Sequence, residues 1–283
     1  MFLSVFDVFK IGVGPSSSHT MGPMVAGGAF IQAIRDSPFK VAGLRASLHG
    51  SLAFTGKGHA TDRATILGLA GFLPDSYVAT KADEALEKIA NSKTIVHDDL
   101  GALSFDPAAD LIFDYDNDLT GHANGMMLFA TDDQGDVVMQ ETYYSIGGGF
   151  VLTEDELAQG EKGQDQRPVP FPFKSATEML EMSKKSGKSI AQIKKANELS
   201  RMGPASLSDG INRIWGAMND CIDRGLEGEG ILPGGLFVKR RAKSIHEKLL
   251  HEAGLNLTPP HTINDWMSVY AMAVNEENAA GGQ

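Results

Sequence analysis

Apolar residues recur along this chain with two different periods, and the pattern changes near residue 150. Between Met21 and Arg35 small and apolar residues return at helical spacing, with serine and threonine just upstream to cap the start. Val41–Leu48 alternates as a strand does. The spacing predicts further helices over Ala60–Phe72 and Thr80–Ala90. In the second, Thr80 and Asp83 stand as a capping box, and Ala82, Ala85, Leu86 and Ile89 share one face. Leu111–Tyr115 reads as a short strand. Gly125–Ala130 and Val137–Tyr144 read as a hairpin about the polar turn Thr131–Asp136.

A different composition begins at Thr153. Through Lys174 a charged run gives way to Pro168, Pro170 and Pro172 without periodicity, which predicts a semi-extended linker. Beyond it the pattern is helical. Ser189 and Gln192 form a capping box for a helix over Ile190–Arg201. Ile211, Ile214, Trp215, Met218, Cys221 and Ile222 form a helical stripe, with Gly225 as its stop. A loop, Gly228–Gly235, leads into a helix over Leu236–Ala253. After Pro259 and Pro260 comes a last helix, Thr262–Asn278, with Trp266, Val269, Tyr270, Ala273 and Val274 on its apolar side. The fold class expected is α+β: an α/β domain over residues 1–152, a linker over 153–174, and an all-α segment over 175–283.

Composition narrows the partners. At 283 residues the chain is long enough for about two domains. Lys and Arg total 25 against 36 Asp and Glu, a net charge of −11 that disfavours nucleic acid and anionic membrane surfaces and leaves a small molecule as the expected ligand. Cys221 is the single cysteine, so these residues form no disulfide and complete no multi-thiolate metal site. One thiol fits a reducing cytoplasm. The first residues lack the basic start and small-residue cleavage site of a signal peptide. The longest apolar run, Met24–Ile31, is far short of the roughly 20 residues a membrane span needs. A soluble, intracellular protein is expected.

Several short runs carry candidate chemistry. Ser16, Ser17, Ser18, His19 and Thr20 precede a predicted helix, where unpaired N–H groups and a partial positive charge suit a carboxylate or phosphate. A plain helix cap is the bland reading, though three serines and a histidine exceed what capping requires. The run lacks the Gly-Lys-Ser/Thr ending of a P-loop. A second glycine-flanked loop, Gly56–Asp62, places His59 and Thr61 at another helix start. His59 is either a proton carrier or a loop histidine bonded to backbone. His122 and Asn124 stand before a predicted strand, as site residues or as a polar hairpin edge. Gly147–Gly149 end the next strand as a ligand approach or as a turn. Lys239–Arg241 offer either an anion-binding loop or a solvated helix face. Cys221, on an apolar stripe, reads as an inert core thiol.

Taken together, GPSSSHTMGP, GKGHATD, HANGM, YYSIGGGF, LPGGL with KRRA, and VNEENAAGG resemble, in order and across the whole chain, the iron–sulfur-dependent L-serine dehydratases of the single-chain bacterial form. The resemblance implies an N-terminal α/β-sandwich-type domain followed by an all-helical catalytic domain. It implies deamination of L-serine to pyruvate and ammonia without pyridoxal phosphate, by β-elimination assisted by a [4Fe–4S] cluster. On this reading His59 is the catalytic candidate, and Ser16, Ser17, Ser18, His19, Thr20, Thr61, His122 and Asn124 bind substrate. The family's cluster cysteines lie beyond the AAGG motif, so no metal ligand is expected within these residues. The expectation is a C-terminally truncated catalytic domain, inactive alone, in the cytoplasm, as a homodimer or associated with a missing C-terminal segment. The alternative is a serine-binding regulatory module without catalysis. A metal site built from His19, His59 and His122 ranks behind both, because their spacing matches no ligand pattern.

Overall fold

The computed structural model describes residues 2–160, 167–233, 236–254 and 263–282. The charged centre of the expected linker, Gly234 and Gly235 of the LPGGL run, and the Pro259–Pro260 turn with Thr262 lie outside the described residues. The chain divides into two compact units. One comprises Ile11–Ala158 with Asn219–Gln283, the other Met1–Lys10 with Gln159–Met218.

The first unit is built on a mixed seven-stranded sheet. Its strands are β1 (Gly43–His49), β2 (Thr94–His97), β3 (Gly101–Ser104), β4 (Leu111–Asp114), β5 (Gly125–Thr131), β6 (Val137–Gly147) and β7 (Phe150–Thr153). They run in the order β2-β3-β1-β5-β6-β7, with β4 also paired to β1. β1 is parallel to β3 and β4 and antiparallel to β5. Alternation along β1 sends Leu44, Ala46 and Leu48 into the core and leaves Arg45, Ser47 and His49 on the other side. The core is completed by helices. α2 (Gly22–Asp36) contributes Ala26, Phe30, Ile31 and Ile34 at helical spacing; α4 (Thr61–Leu69) contributes Ile66 and Leu69; α5 (Ala79–Ser92) contributes Ile89. A single short helix, α3 (Ser51–Phe54), follows β1.

The hairpin expected about Thr131–Asp136 is the β5–β6 pair, with a register shift at Ala130/Thr131. Three details differ from the expectation. The Thr80–Asp83 capping box does not form: α5 begins one residue earlier, and its cap, Val78, makes no side-chain bond. The four-residue strands β2 and β3, too short for a periodic signal, form a hairpin at the sheet edge. Glu154–Gln159 is not extended. Thr153 closes β7, and α6 (Glu154–Gln159) follows, with the Thr153 hydroxyl and Glu156 carboxylate exchanging backbone bonds at its start.

Three more helices bring the C-terminal residues into play. α9 (Pro204–Glu227) runs through Gly225, which is a close contact and no stop: a Cβ there would overlap the backbone carbonyl of Ala273. Ala273 belongs to α11 (Ile263–Ala279), which buries Val269 and Ala273 and leaves Met267 and Tyr270 exposed. α10 (Ala242–Gly254) starts six residues later than expected, after a bridge between Ile231 and Lys239. Arg240 is neither a solvated face nor a free anion site. Its guanidinium is mostly buried and donates to Glu277 at 2.9 Å, while Arg224 donates to the same carboxylate at 3.1 Å. Glu276 accepts from the Arg241 and Ala242 amides and so caps α10. Two buried glutamates thus fasten the end of α11.

In the second unit, α7 (Ala176–Ser186) is capped by Ser175, and α8 (Ile190–Leu199) carries the expected Ser189–Gln192 capping box. The single-turn α1 (Val5–Val8) is held by α8: Glu198, buried, accepts from the Ser4 hydroxyl and the Val5 amide, each at 2.8 Å. Its neighbour Asn197, also buried, accepts from the Phe171 amide and donates to the Phe171 carbonyl, both at 2.8 Å.

Candidate functional site

The serine run forms one turn of π-helix, Ser17–Met21, that leads directly into α2. Ser16 caps it, accepting from the His19 amide at 3.2 Å, while the Ser16 amide donates to Thr20 Oγ1 at 3.2 Å. By its place at a helix start, the amides of Ser17 and Ser18 have no intrahelical acceptor. The Ser18 hydroxyl lies 3.4 Å from that of Ser16 and 2.9 Å from His19 Nδ1. Ser17 stands exposed on the turn.

The second loop locks onto the first. Thr61 Oγ1 donates to the His19 carbonyl at 2.7 Å, and Thr20 Oγ1 donates to the His59 carbonyl at 2.8 Å. This reciprocal pair of buried threonines sets the two histidine rings 4.8 Å apart between centroids, tilted by 38°. Ala60, between His59 and Thr61, has φ 52°, a left-handed value unfavourable for alanine and held by its amide bonds to the carbonyls of Gly56 and Lys57.

The proton positions on His59 follow from its partner. Nδ1 lies 2.9 Å from the Thr55 carbonyl, which only accepts, so Nδ1 carries the hydrogen. In the neutral ring the lone pair is then on Nε2, free to take a proton. His19 is held differently, between Ser18 at Nδ1 and the Ser51 hydroxyl 2.9 Å from Nε2. Burial, reinforced by the nearby His59 ring, pushes the His19 pKa below its ordinary value against a hydrogen bond with Ser51. His19 is therefore neutral at pH 7.

Ser51 extends the network to the HAN motif. It lines a cavity of about 340 Å³ whose other walls include Asp118, Leu119 and His122. His122 Nδ1 accepts from the Asn124 amide at 3.1 Å, and Asn124 Nδ2 donates to the Ser145 carbonyl at 3.0 Å. Gly147, Gly148 and Gly149 all have positive φ (92°, 60° and 71°) and make the turn between β6 and β7. Just before it, Ser145 Oγ is buried without a hydrogen-bond partner, facing Gly22 at the start of α2.

The fold thus joins Ser16, Ser18, His19, Thr20, His59 and Thr61 in one hydrogen-bonded group, with Ser51 bonded to that group and sharing a cavity with His122. Asn124 joins His122, through its amide, to the end of β6. Sequence reasoning missed Ser51 and Ser145. Ser51 follows Gly50 with no motif of its own, whereas Ser145 stands inside the YYSIGGGF run, where the glycines drew the attention.

The donor set does not fit a metal cluster. Cys221 is the only thiol; it is buried, and burial pushes its pKa up, away from a thiolate. Among the described residues no group of three His, Cys, Asp or Glu side chains is placed to hold a metal ion. No helix is long and apolar enough to cross a membrane among the described residues.

A two-part architecture with these loops has a counterpart among known families. The serine dehydratase beta chain model matches residues 4–156 and the serine dehydratase alpha chain model matches residues 178–283. The chain belongs to the serine dehydratase family. Among curated proteins it is 41% identical over 293 residues to an L-serine dehydratase of Streptomyces coelicolor, covering 100% of this chain and 62% of that protein. It is 41% identical over 284 residues to L-serine dehydratase TdcG of Escherichia coli and 39% identical over 284 residues to an L-serine dehydratase of Haemophilus influenzae, in each case covering 99% of this chain and 62% of the relative. The chain therefore spans somewhat less than two thirds of the length of these relatives.

Proposed function

We propose that this chain carries the proton-handling part of an L-serine dehydratase, a carbon–nitrogen lyase that converts L-serine to pyruvate and ammonia. The observation that carries the reading is His59: a tautomer fixed by the Thr55 carbonyl, with a lone pair on Nε2 beside a hydroxyl-rich helix start. Serine would lie in the cavity beside Ser51 and His122. The Ser17 and Ser18 amides and the Ser16 and Ser18 hydroxyls suit its carboxylate. His59 Nε2 would take the Cα proton, and neutral His19 beside it would add no opposing positive charge. As the Cα–H electron pair forms the Cα=Cβ bond, the Cβ–O bond breaks and the hydroxide leaves as water with the proton held on His59; the aminoacrylate tautomerises to an imine, which water hydrolyses to pyruvate and ammonia.

Departure of the hydroxyl needs electrophilic help. The [4Fe–4S] cluster that the resemblance implies would supply a Lewis acid there, but residues 1–283 offer it no thiolate set, Cys221 being the single cysteine. A cytoplasmic location fits a chain with one thiol and no disulfide. A homodimer belongs to the same proposal.

The test replaces His59 by Ala in an enzyme assembled anaerobically with whatever segment supplies the cluster. Loss of a general base predicts turnover lower by about 10²-fold or more, with L-serine still bound. Undiminished turnover overturns the role of His59. Calorimetry with L-serine on the 283-residue chain separates catalysis from sensing: binding without turnover, even in the assembled enzyme, favours a regulatory module.

A further inference from the structure

On the face of the sheet away from the core, three residues form a relay that the proposed chemistry does not use. His49, at the end of β1, is 4% exposed. Its Nδ1 lies 2.8 Å from the Asn117 carbonyl, so Nδ1 carries the hydrogen and Nε2 accepts from the Ser47 hydroxyl at 2.7 Å. The Asp114 carboxylate stands 3.8 Å from the same Nδ1. Asp114 also accepts from the Asp116 and Asn117 amides, each at 3.0 Å, and from the Asn117 side chain. Those bonds to Asn117 and Asp116, aided by His49, hold its carboxyl below the usual range.

The relay holds one end of a loop whose other end is held two residues further along β1's exit. There the Ser51 amide donates to the Ala123 carbonyl at 2.8 Å. Residues 117 and 123 are thus both pinned to the stretch 49–51. The loop between them supplies Asp118, Leu119 and His122 to the cavity that Ser51 also lines. We infer that His49 is a positioning residue of the serine site: its Nδ1–H anchors Asn117 and so sets the wall that carries Asp118 and His122. The inference rests on reading this cavity as the serine site. His49 does not line that cavity, and it acts through the loop.

Two variants of the 283-residue chain test it. His49→Asn places an amide donor where Nδ1 stands, whereas His49→Gln places its amide near the position of Nε2. In calorimetric titrations His49→Gln should bind L-serine about tenfold more weakly than the unmodified chain, and His49→Asn should stay within about threefold. Histidine ring ¹⁵N spectra, taken without serine, should show the His122 and His19 resonances displaced in His49→Gln and restored in His49→Asn. Unchanged affinity and unchanged ring spectra in His49→Gln overturn the inference. Equal losses in both variants overturn it as well, since they mark bulk packing and not the Nδ1 donor. If His49→Gln does not fold, Ser47→Ala loosens the ring at Nε2 while keeping the imidazole, and it should move both readouts the same way by a smaller amount; no movement overturns the inference. Failure of the unmodified chain to bind L-serine sinks the proposed function, and the ring spectra still decide His49.

Discussion

The two compact units bury polar groups for different ends. In the unit built on the sheet, apolar side chains of α2, α4, α5 and six strands hold the fold, and the buried threonines at positions 20 and 61 are spent on aligning two histidines. In the helical unit few apolar side chains are buried, Met179, Ile193 and Leu207 among them, while Ile190, Ile211, Trp215 and Met218 are exposed. There the buried polar pair Asn197 and Glu198 holds irregular chain in place. Apolar packing carries one region and frees its polar groups for a site; polar fastening carries the other.

The largest expected effect tests the apolar side of this contrast. Phe30→Ala in the sheet unit should cost about 3–5 kcal/mol in urea unfolding, because it empties a fully buried ring site. Trp215, 63% exposed, should tolerate the same truncation with a change within about 0.5 kcal/mol. Equal costs would break the comparison. Glu198→Ala comes next, at about 3 kcal/mol, since it takes the acceptor from the Ser4 hydroxyl and the Val5 amide and leaves the Lys194 ammonium only the Leu3 carbonyl and the Phe2 ring. Limited proteolysis should show the first ten residues cut sooner in that variant; no change would mean that the apolar contacts of α1 hold it unaided.

The smallest effect belongs to the site. The His19 pKa is lower in the folded chain than in the unfolded one, so protonation favours the unfolded state. Its contribution is fully present above the ordinary histidine value and is lost as pH falls through that value toward the folded one. Urea midpoints should therefore fall between about pH 7.5 and about pH 5.5, and His19→Gln should flatten part of that slope. An unaltered slope would place the acid sensitivity elsewhere.

Much of the sheet unit was legible because its signals are local. The α2 stripe and the β5–β6 hairpin each follow from residues within a few positions of one another, as does the cap at Ser189 in the helical unit. The strands β2 and β3 were not, because four residues set no period. Gly225 was misread since a glycine at a helix end and one at a helix crossing look alike in sequence; only the Ala273 backbone tells them apart. The Thr153–Glu156 cap was present in the sequence but obscured by the charge and proline that follow. At the site, the serine run and His59 stood out by composition. Their mutual placement did not, because it depends on Thr20 and Thr61 bonding carbonyls across about forty residues.

Asn197 and Glu198 are adjacent on α8 yet reach two separate stretches of chain, Phe171 and Ser4–Val5. Successive helical residues point roughly 100° apart, so α8 works as a two-pronged plug whose prongs are fixed by helical phase. Inserting one residue between Ile190 and Ile193 would rotate both prongs away from their sockets at once. The same insertion after Ser200, beyond the last turn, would leave both seated.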